Sequence, residues 1–339
     1  SMTAEAEKPR RPEAPTFAEL FTPKLVTVLR EGYDLSKLRA DAFAGLTIAI
    51  VALPLSMAIA IAAGVSPDRG VITAIIGGFL VSLLGGSRFQ IGGPSGAVIV
   101  LAAATVMREG VDGLILATAM AGVILMAAGL LRLGTYIKFI PYPVTVGFTA
   151  AIAMTIFASQ LSELFGLTLP AHEPGALLPK LLMLIEAAPT VNPAAIGIAL
   201  LTIGLIVGIQ RIKPALPGML VAVVVASAVT AWLSLPVDTI GTRFGGIARG
   251  LPFPALPALS LDKMQSVLPE AIAFALLAAI ESLLSAVVAD GMSGRRHRSN
   301  CELVAQGIAN IGSALFGGFC VTGTMARTAT NVRAGAVGP

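Results

Sequence analysis

Phe316-Gly-Gly-Phe-Cys-Val-Thr-Gly-Thr-Met-Ala-Arg327 is a polar, glycine-rich interruption in sequence apolar enough to lie in a membrane. Glu281 is another, a lone carboxylate inside an apolar run. Ionisable groups are costly in hydrocarbon, so such places usually serve a site. A sister stretch, Gln90-Ile-Gly-Gly-Pro-Ser-Gly96, precedes the apolar segment 97–107, which is too short for a crossing of about 20 residues. The spacing predicts that in both stretches a few extended residues enter the membrane before a half-helix begins. Such backbone survives at that depth only when buried in protein or lining a cavity. A pair of interrupted spans at matching places in two halves of a chain points to a transporter site.

Composition agrees with a membrane location. The chain is 55% apolar and 12% charged, with a mean hydropathy of +0.86, whereas soluble globules carry about 25% charged residues. The fold class is therefore an all-α polytopic membrane protein. Only 5% of residues are aromatic and 36 are glycine, which suits helices packing closely through small residues. The net charge of +4 is too small to imply a nucleic-acid partner. Cys301 and Cys320 form no C-x-x-C, and His172 and His297 have no accompanying ligands for a metal. With no nucleophile–base pair, metal set or nucleotide loop, the chain does not read as an enzyme.

Ten spans are expected, at 42–64, 70–84, 97–107, 113–131, 144–165, 193–209, 216–233, 268–288, 302–316 and a short one from 324. Residues 1–15 read as a disordered polar head with a cloning scar rather than a signal peptide. Arg30, Lys37 and Arg39 precede the first span, and Arg88, Arg132, Lys138, Arg211, Lys213, Arg295, Arg296 and Arg298 fall on the same side when spans are counted alternately. The positive-inside rule puts that side, and the N-terminus, in the cytoplasm. The longer outer connections are 168–190 and 236–262.

Gly64, closing span one, lies 227 residues before Gly291, closing span eight. Gly85-Gly86, closing span two, lies 232 before Gly317-Gly318. Seven spans separate each pair, so the two halves run in opposite directions as an inverted repeat. A complete second half would reach about residue 490, so about four spans are expected beyond this chain.

Further motifs are Gly45-Leu-Thr-Ile-Ala-Ile-Val-Ala-Leu-Pro54 with Met57-Ala58, Phe139-Ile-Pro-Tyr-Pro-Val-Thr-Val-Gly-Phe148, Ser159-Gln-Leu, Glu281-Ser-Leu-Leu-Ser-Ala-Val-Val-Ala-Asp290 and Thr322-Gly-Thr-Met-Ala-Arg-Thr328. In this order they resemble the SulP family of anion transporters, the sulfate permease-like solute carriers, from about Phe43 onward. The resemblance implies a seven-plus-seven inverted-repeat fold shared with the uracil permeases. It implies a core domain of spans one to four and eight to eleven and a gate domain of spans five to seven and twelve to fourteen. A cytoplasmic STAS domain usually follows. The chain then divides into a cytoplasmic segment (1–41), first core half (42–133), first gate half (134–265) and incomplete second core half (266–339). A homodimer in the inner membrane is expected.

In an inverted repeat the half-helices of spans three and ten point their N-termini at each other. Each offers unpaired N–H groups and roughly +0.5 of an elementary charge, an anion site built at Ser95, Gly96, Gly323 and Thr324. Arg327 adds a full positive charge; its alternative is a structural arginine tied to carbonyls or a carboxylate. Ala326 stands where the family often has serine, and Leu55 with Ile59 would give the pocket an apolar wall. Glu281, whose unpaired charge would cost about 3 kcal/mol or more, and Ser285 one turn on match the family's ion-coupling pair. The coupling ion is then a proton or sodium, with no other cofactor. The alternative is a structural Glu281–Arg327 pair. Asp290 reads as a cap or a partner for the nearby arginines, and Glu163 as solvated. The expected function is alternating-access symport of a small anion: bicarbonate, sulfate, chloride or a dicarboxylate. An uncoupled exchanger or channel is the rival, and a nucleobase carrier the third reading.

Overall fold

The computed structural model describes residues 16–139, 142–169, 177–213, 218–239, 253–256 and 259–339; the expected disordered head, 1–15, lies outside them. It is mostly helical. Short helices α1 (Phe17–Phe21) and α2 (Lys24–Arg30) lead into α3 (Leu35–Ala63). Asp34 starts α3 by accepting from the Lys37 N–H at 2.9 Å, and Gly64 stops it at φ 88°, a left-handed conformation suited to glycine. The helix begins seven residues before the expected span because 35–41 continues the same turn pattern.

α4 (Pro67–Ile72) and α5 (Gly78–Leu84) are joined through a π turn, Thr73–Gly77. A Cβ on Gly77 would come within 2.5 Å of Val321, so this glycine is what lets the second interrupted stretch approach the π turn. A 3₁₀ turn, Gly96–Val98, then opens α6 (Ile99–Leu130), which breaks at Gly110 (φ 74°, ψ −179°). The break falls between the expected spans 97–107 and 113–131 and separates a half-helix from a full one.

α7 (Tyr142–Leu164), α8 (Leu177–Glu186), α9 (Pro193–Ile212) and α10 (Gly218–Leu233) follow. α8 corrects the reading of 168–190 as a plain connection: ten residues with a one-sided apolar stripe make a short helix there. After them come α11 (Leu261–Ser293), α12 (Ser299–Leu315) and α13 (Met325–Arg333). Gly291 does not close span eight, since α11 runs through it to Gly294 (φ 73°). Gly294 lies 230 residues after Gly64, closer to the 232 between Gly85 and Gly317, which also has a left-handed φ of 82°.

Among the described residues, five helices are long and apolar enough to cross a membrane: Leu35–Ala63, Pro67–Leu84, Gly96–Leu130, Pro193–Ile212 and Leu261–Ser293. The chain is a multi-pass membrane protein. Its largest core cluster joins Ile59 and Ala60 of α3, Leu114 and Ala121 of α6, Phe274 and Ala278 of α11 and Leu303 of α12. α6 and α12 cross at Gly122 and Gly307, where a Cβ on either glycine would sit 2.6 Å and 2.5 Å from the other's carbonyl oxygen. With little hydrophobic drive between helices in lipid, contact this close supplies the association. α9 and α10 pack on each other, and no described residue of theirs belongs to that cluster.

Candidate functional site

The two interrupted stretches meet. Gly92 pairs with Gly323 and Gly93 with Thr322 in a two-residue antiparallel ladder. Helical structure resumes at Gly96 on one side and Met325 on the other, and neither Ser95 nor Thr324 caps its helix with a side-chain hydrogen bond. Each helix start therefore keeps donors for something else.

Several neighbouring elements help satisfy the extended backbone, as buried N–H and C=O groups require. The Thr324 N–H and hydroxyl both donate to Ile91 O, at 2.9 and 2.7 Å, and the Ile91 N–H donates to Thr328 Oγ1 at 3.0 Å. The Gly323 N–H donates to Ser282 Oγ at 2.8 Å. The Asn310 amide holds both sides of Val321, and the Phe319 N–H donates to Thr73 Oγ1 of the π turn. Gln90 sits at the centre: its amide donates to Ser282 O at 2.7 Å, and its oxygen accepts from Ser285 at 2.7 Å and Thr328 at 3.2 Å. A Cβ on Gly323 would lie 1.9 Å from Gln90 Nε2, which fixes glycine there.

Arg327 is 4% exposed. Its Nη2 donates to Pro94 O, while Nη1 is buried without any partner. A Cβ on Gly93 would lie 2.9 Å from that same Nη1, so the glycine leaves space beside it. Glu281, also buried, accepts from Ser95 Oγ at 2.8 Å. Arg327 and Glu281 are not joined by a direct ion pair; each is held by a group of the first stretch instead.

The structure thus gathers Ser95, Gly96, Gly323, Thr324, Arg327 and Glu281. Ser285 lies one turn from Glu281, but its hydroxyl goes to Gln90. Ile59 is buried in the main cluster, whereas Leu55 is 38% exposed and Ala326 is exposed, so neither is enclosed with the others. Gln90, Ser282, Asn310 and Thr328 were not singled out from sequence. An amide at mid-span, as at Asn310, is the signal that marks such residues, because an unsatisfied amide in hydrocarbon is costly. The Ser95 and Thr324 hydroxyl protons are committed to Glu281 and Ile91 O, so the arrangement offers free N–H groups at two helix starts and one unpartnered guanidinium nitrogen, a set of donors that suits an anion.

Asp290, near the end of α11, accepts from the backbone and ring of His297, not from the arginines. Glu31 pairs with Arg88 at 2.7 Å, and that hydrogen bond holds its carboxyl below the ordinary carboxylate value. Burial, then the charges of Arg298 and Arg88, lowers Lys24. Burial, with Asp41 beside it, pushes Tyr33 up to about 12.

A profile of the sulfate permease family matches residues 38–339. The putative sulfate transporter YvdB of Bacillus subtilis is 44% identical over 91% of this chain and 58% of its own length. The bicarbonate transporter BicA of Picosynechococcus is 31% identical over 88% of this chain and 54% of its own. The solved transmembrane domain of a cyanobacterial bicarbonate transporter BicA superposes with a TM-score of 0.80 at 33% identity, covering 90% of this chain and 79% of that one. The murine Slc26a9 anion transporter in its inward-facing state shares the fold, with a TM-score of 0.81 at 18% identity over 98% of this chain and 59% of that one. The chain spans a little over half the length of the curated relatives it matches. These relatives are named as transporters, and none is an enzyme.

Proposed function

The chain belongs to the sulfate permease family, and from that premise we propose that it holds the anion site of a secondary active transporter. Sulfate and bicarbonate, the anions named for its relatives, are the first substrates to test, with chloride and dicarboxylates behind them. The observation that carries this reading is the buried, unpartnered Nη1 of Arg327, set where two uncapped helix starts meet. A buried guanidinium nitrogen without an acceptor is costly, and an anion at the helix starts supplies that acceptor.

The finer parts of the reading are a seven-plus-seven inverted repeat, a core domain moving against a gate domain, and alternating access. They are supported by the near-constant glycine offset and by the separation of α9 and α10 from the main cluster. Lys24, Arg88 and Arg298 lie close enough together to interact, and such clustering of basic residues supports a cytoplasmic N-terminus. Placement in the inner membrane as a homodimer completes the proposal.

Glu281 is the coupling group, and the ion is a proton. A proton needs only the carboxylate, whereas a hard cation collects several oxygen ligands. The test is uptake of radiolabelled sulfate, bicarbonate, chloride and a dicarboxylate into liposomes holding the intact transporter, with imposed proton and then sodium gradients. Accumulation driven by the proton gradient is expected. Accumulation driven by sodium alone would replace the proton, and equal flux without any gradient would make the protein an exchanger or channel.

A further inference from the structure

Ser95 Oγ and Glu281 Oε2 are 2.8 Å apart, and both residues are buried. A serine hydroxyl has one proton and two lone pairs, while an ionised carboxylate only accepts. With Glu281 charged, the serine proton is therefore committed to it. Ser95 is also the residue from which the half-helix of span three starts, and its side chain caps no N–H of that helix. The hydroxyl that would meet an anion at this helix start is the one Glu281 holds.

Among the described residues, the charged and titratable groups facing Glu281 are Arg327 of α13 and the Cys320 thiol ahead of it. The Thr322 hydroxyl also lies within hydrogen-bonding reach of Glu281 and donates at 3.2 Å to Gly323 O. Arg327 donates to Pro94, and Cys320 is directed to Val321 O. Ser95 both precedes the helix start where the anion is placed and donates its hydroxyl to Glu281.

We propose that the Ser95 hydroxyl is exchanged between Glu281 and the anion, and that this exchange couples the two. It donates to Glu281 while the carboxylate is charged, leaving lone pairs toward the anion. When a proton binds a Glu281 oxygen, that new O–H donates to Ser95 Oγ, and the serine O–H rotates to the anion. No covalent bond of the serine breaks. The inference rests on the proposed anion–proton reading and names the group that transmits it. By linkage, the anion raises the affinity for the proton by the same factor that the proton raises affinity for the anion.

The test is equilibrium binding of inorganic sulfate, whose own charge is constant over the range, to the intact transporter across a pH series. The unmodified protein binds tighter at low pH. In Ser95→Ala the gap between the acid and alkaline affinities shrinks by roughly tenfold to hundredfold, the weight of one hydrogen bond to a charged group; a residual gap reflects charge repulsion from Glu281. Ser95→Thr, which keeps the hydroxyl, restores the gap. Glu281→Gln, whose amide can donate to Ser95 in place of the acid, binds sulfate without pH dependence, near the acid-side affinity. A gap in Ser95→Ala as wide as in the unmodified protein would overturn the exchange while leaving the anion site standing. Absence of binding by the unmodified protein to sulfate and to bicarbonate alike would overturn the site and the exchange together.

Discussion

Replacing Arg327 with alanine removes the one guanidinium that the described residues bring to the proposed anion site and tests its role most directly. Nη2 gives an N–H to Pro94 O, and Nη1, which has no partner, is open to an anion. A hydrogen bond to a charged group is worth about 1.5–3 kcal/mol, which weakens binding roughly tenfold to hundredfold in the variant. Leaving Pro94 O without its donor destabilises the fold by about 1–3 kcal/mol, so each affinity must be read beside a melting curve in detergent. Arg327→Lys separates the two effects. An ammonium is a compact charge and cannot present two nitrogens in a fixed fork, so it serves either Pro94 or the anion, and binding weakens while the charge remains. The assay is equilibrium binding of radiolabelled sulfate and bicarbonate to purified protein. Affinity equal to the unmodified protein in a folded Arg327→Ala variant would reduce the arginine to a structural tie.

In liposomes, Glu281→Gln abolishes accumulation driven by a proton gradient yet keeps anion binding; full accumulation by this variant would remove Glu281 from coupling. Ser285→Ala leaves proton-driven uptake largely intact because the hydroxyl serves Gln90, and a loss specific to a sodium gradient would restore sodium as the coupling ion. Gly307→Ala forces apart the crossing with Gly122 and destabilises the protein by about 1–3 kcal/mol, seen as a lower melting temperature; an unchanged melt would show that the crossing relaxes freely. Glu31 has a folded-state pKa below its unfolded one, so its contact with Arg88 stabilises the protein above the unfolded value and is lost as pH falls through the folded one. The melting temperatures of the unmodified protein and Glu31→Gln should therefore differ near neutral pH and converge in acid; a difference that does not change with pH would show that the charge of Glu31 contributes nothing.

Much of the site was legible because its parts are local. Pro94-Ser-Gly96 and Thr322-Gly-Thr324 announce broken backbone through their own chemistry, and Glu281 and Arg327 stand out against apolar neighbours. What sequence left hidden depends on partners far along the chain. Gln90 bonds Ser285 and Thr328, 195 and 238 residues away, and no periodicity carries such information. The end of α11 was misplaced because Gly291 and Gly294 look alike in sequence, and only the backbone turn tells which one ends the helix. α8 was missed since ten residues are too few to stand out beside full spans.

The pairing of the two interrupted stretches also dictates an order of assembly. Ile91 O waits for the N–H and hydroxyl of Thr324, 233 residues downstream, so the first half enters the bilayer with its centre unsatisfied. Closure must wait for synthesis of almost the whole described chain, a long-range step of the kind that slows folding. A nascent chain released before Thr322 would insert its helices and still present bare peptide groups at their middle, recognisable to quality control as unfinished.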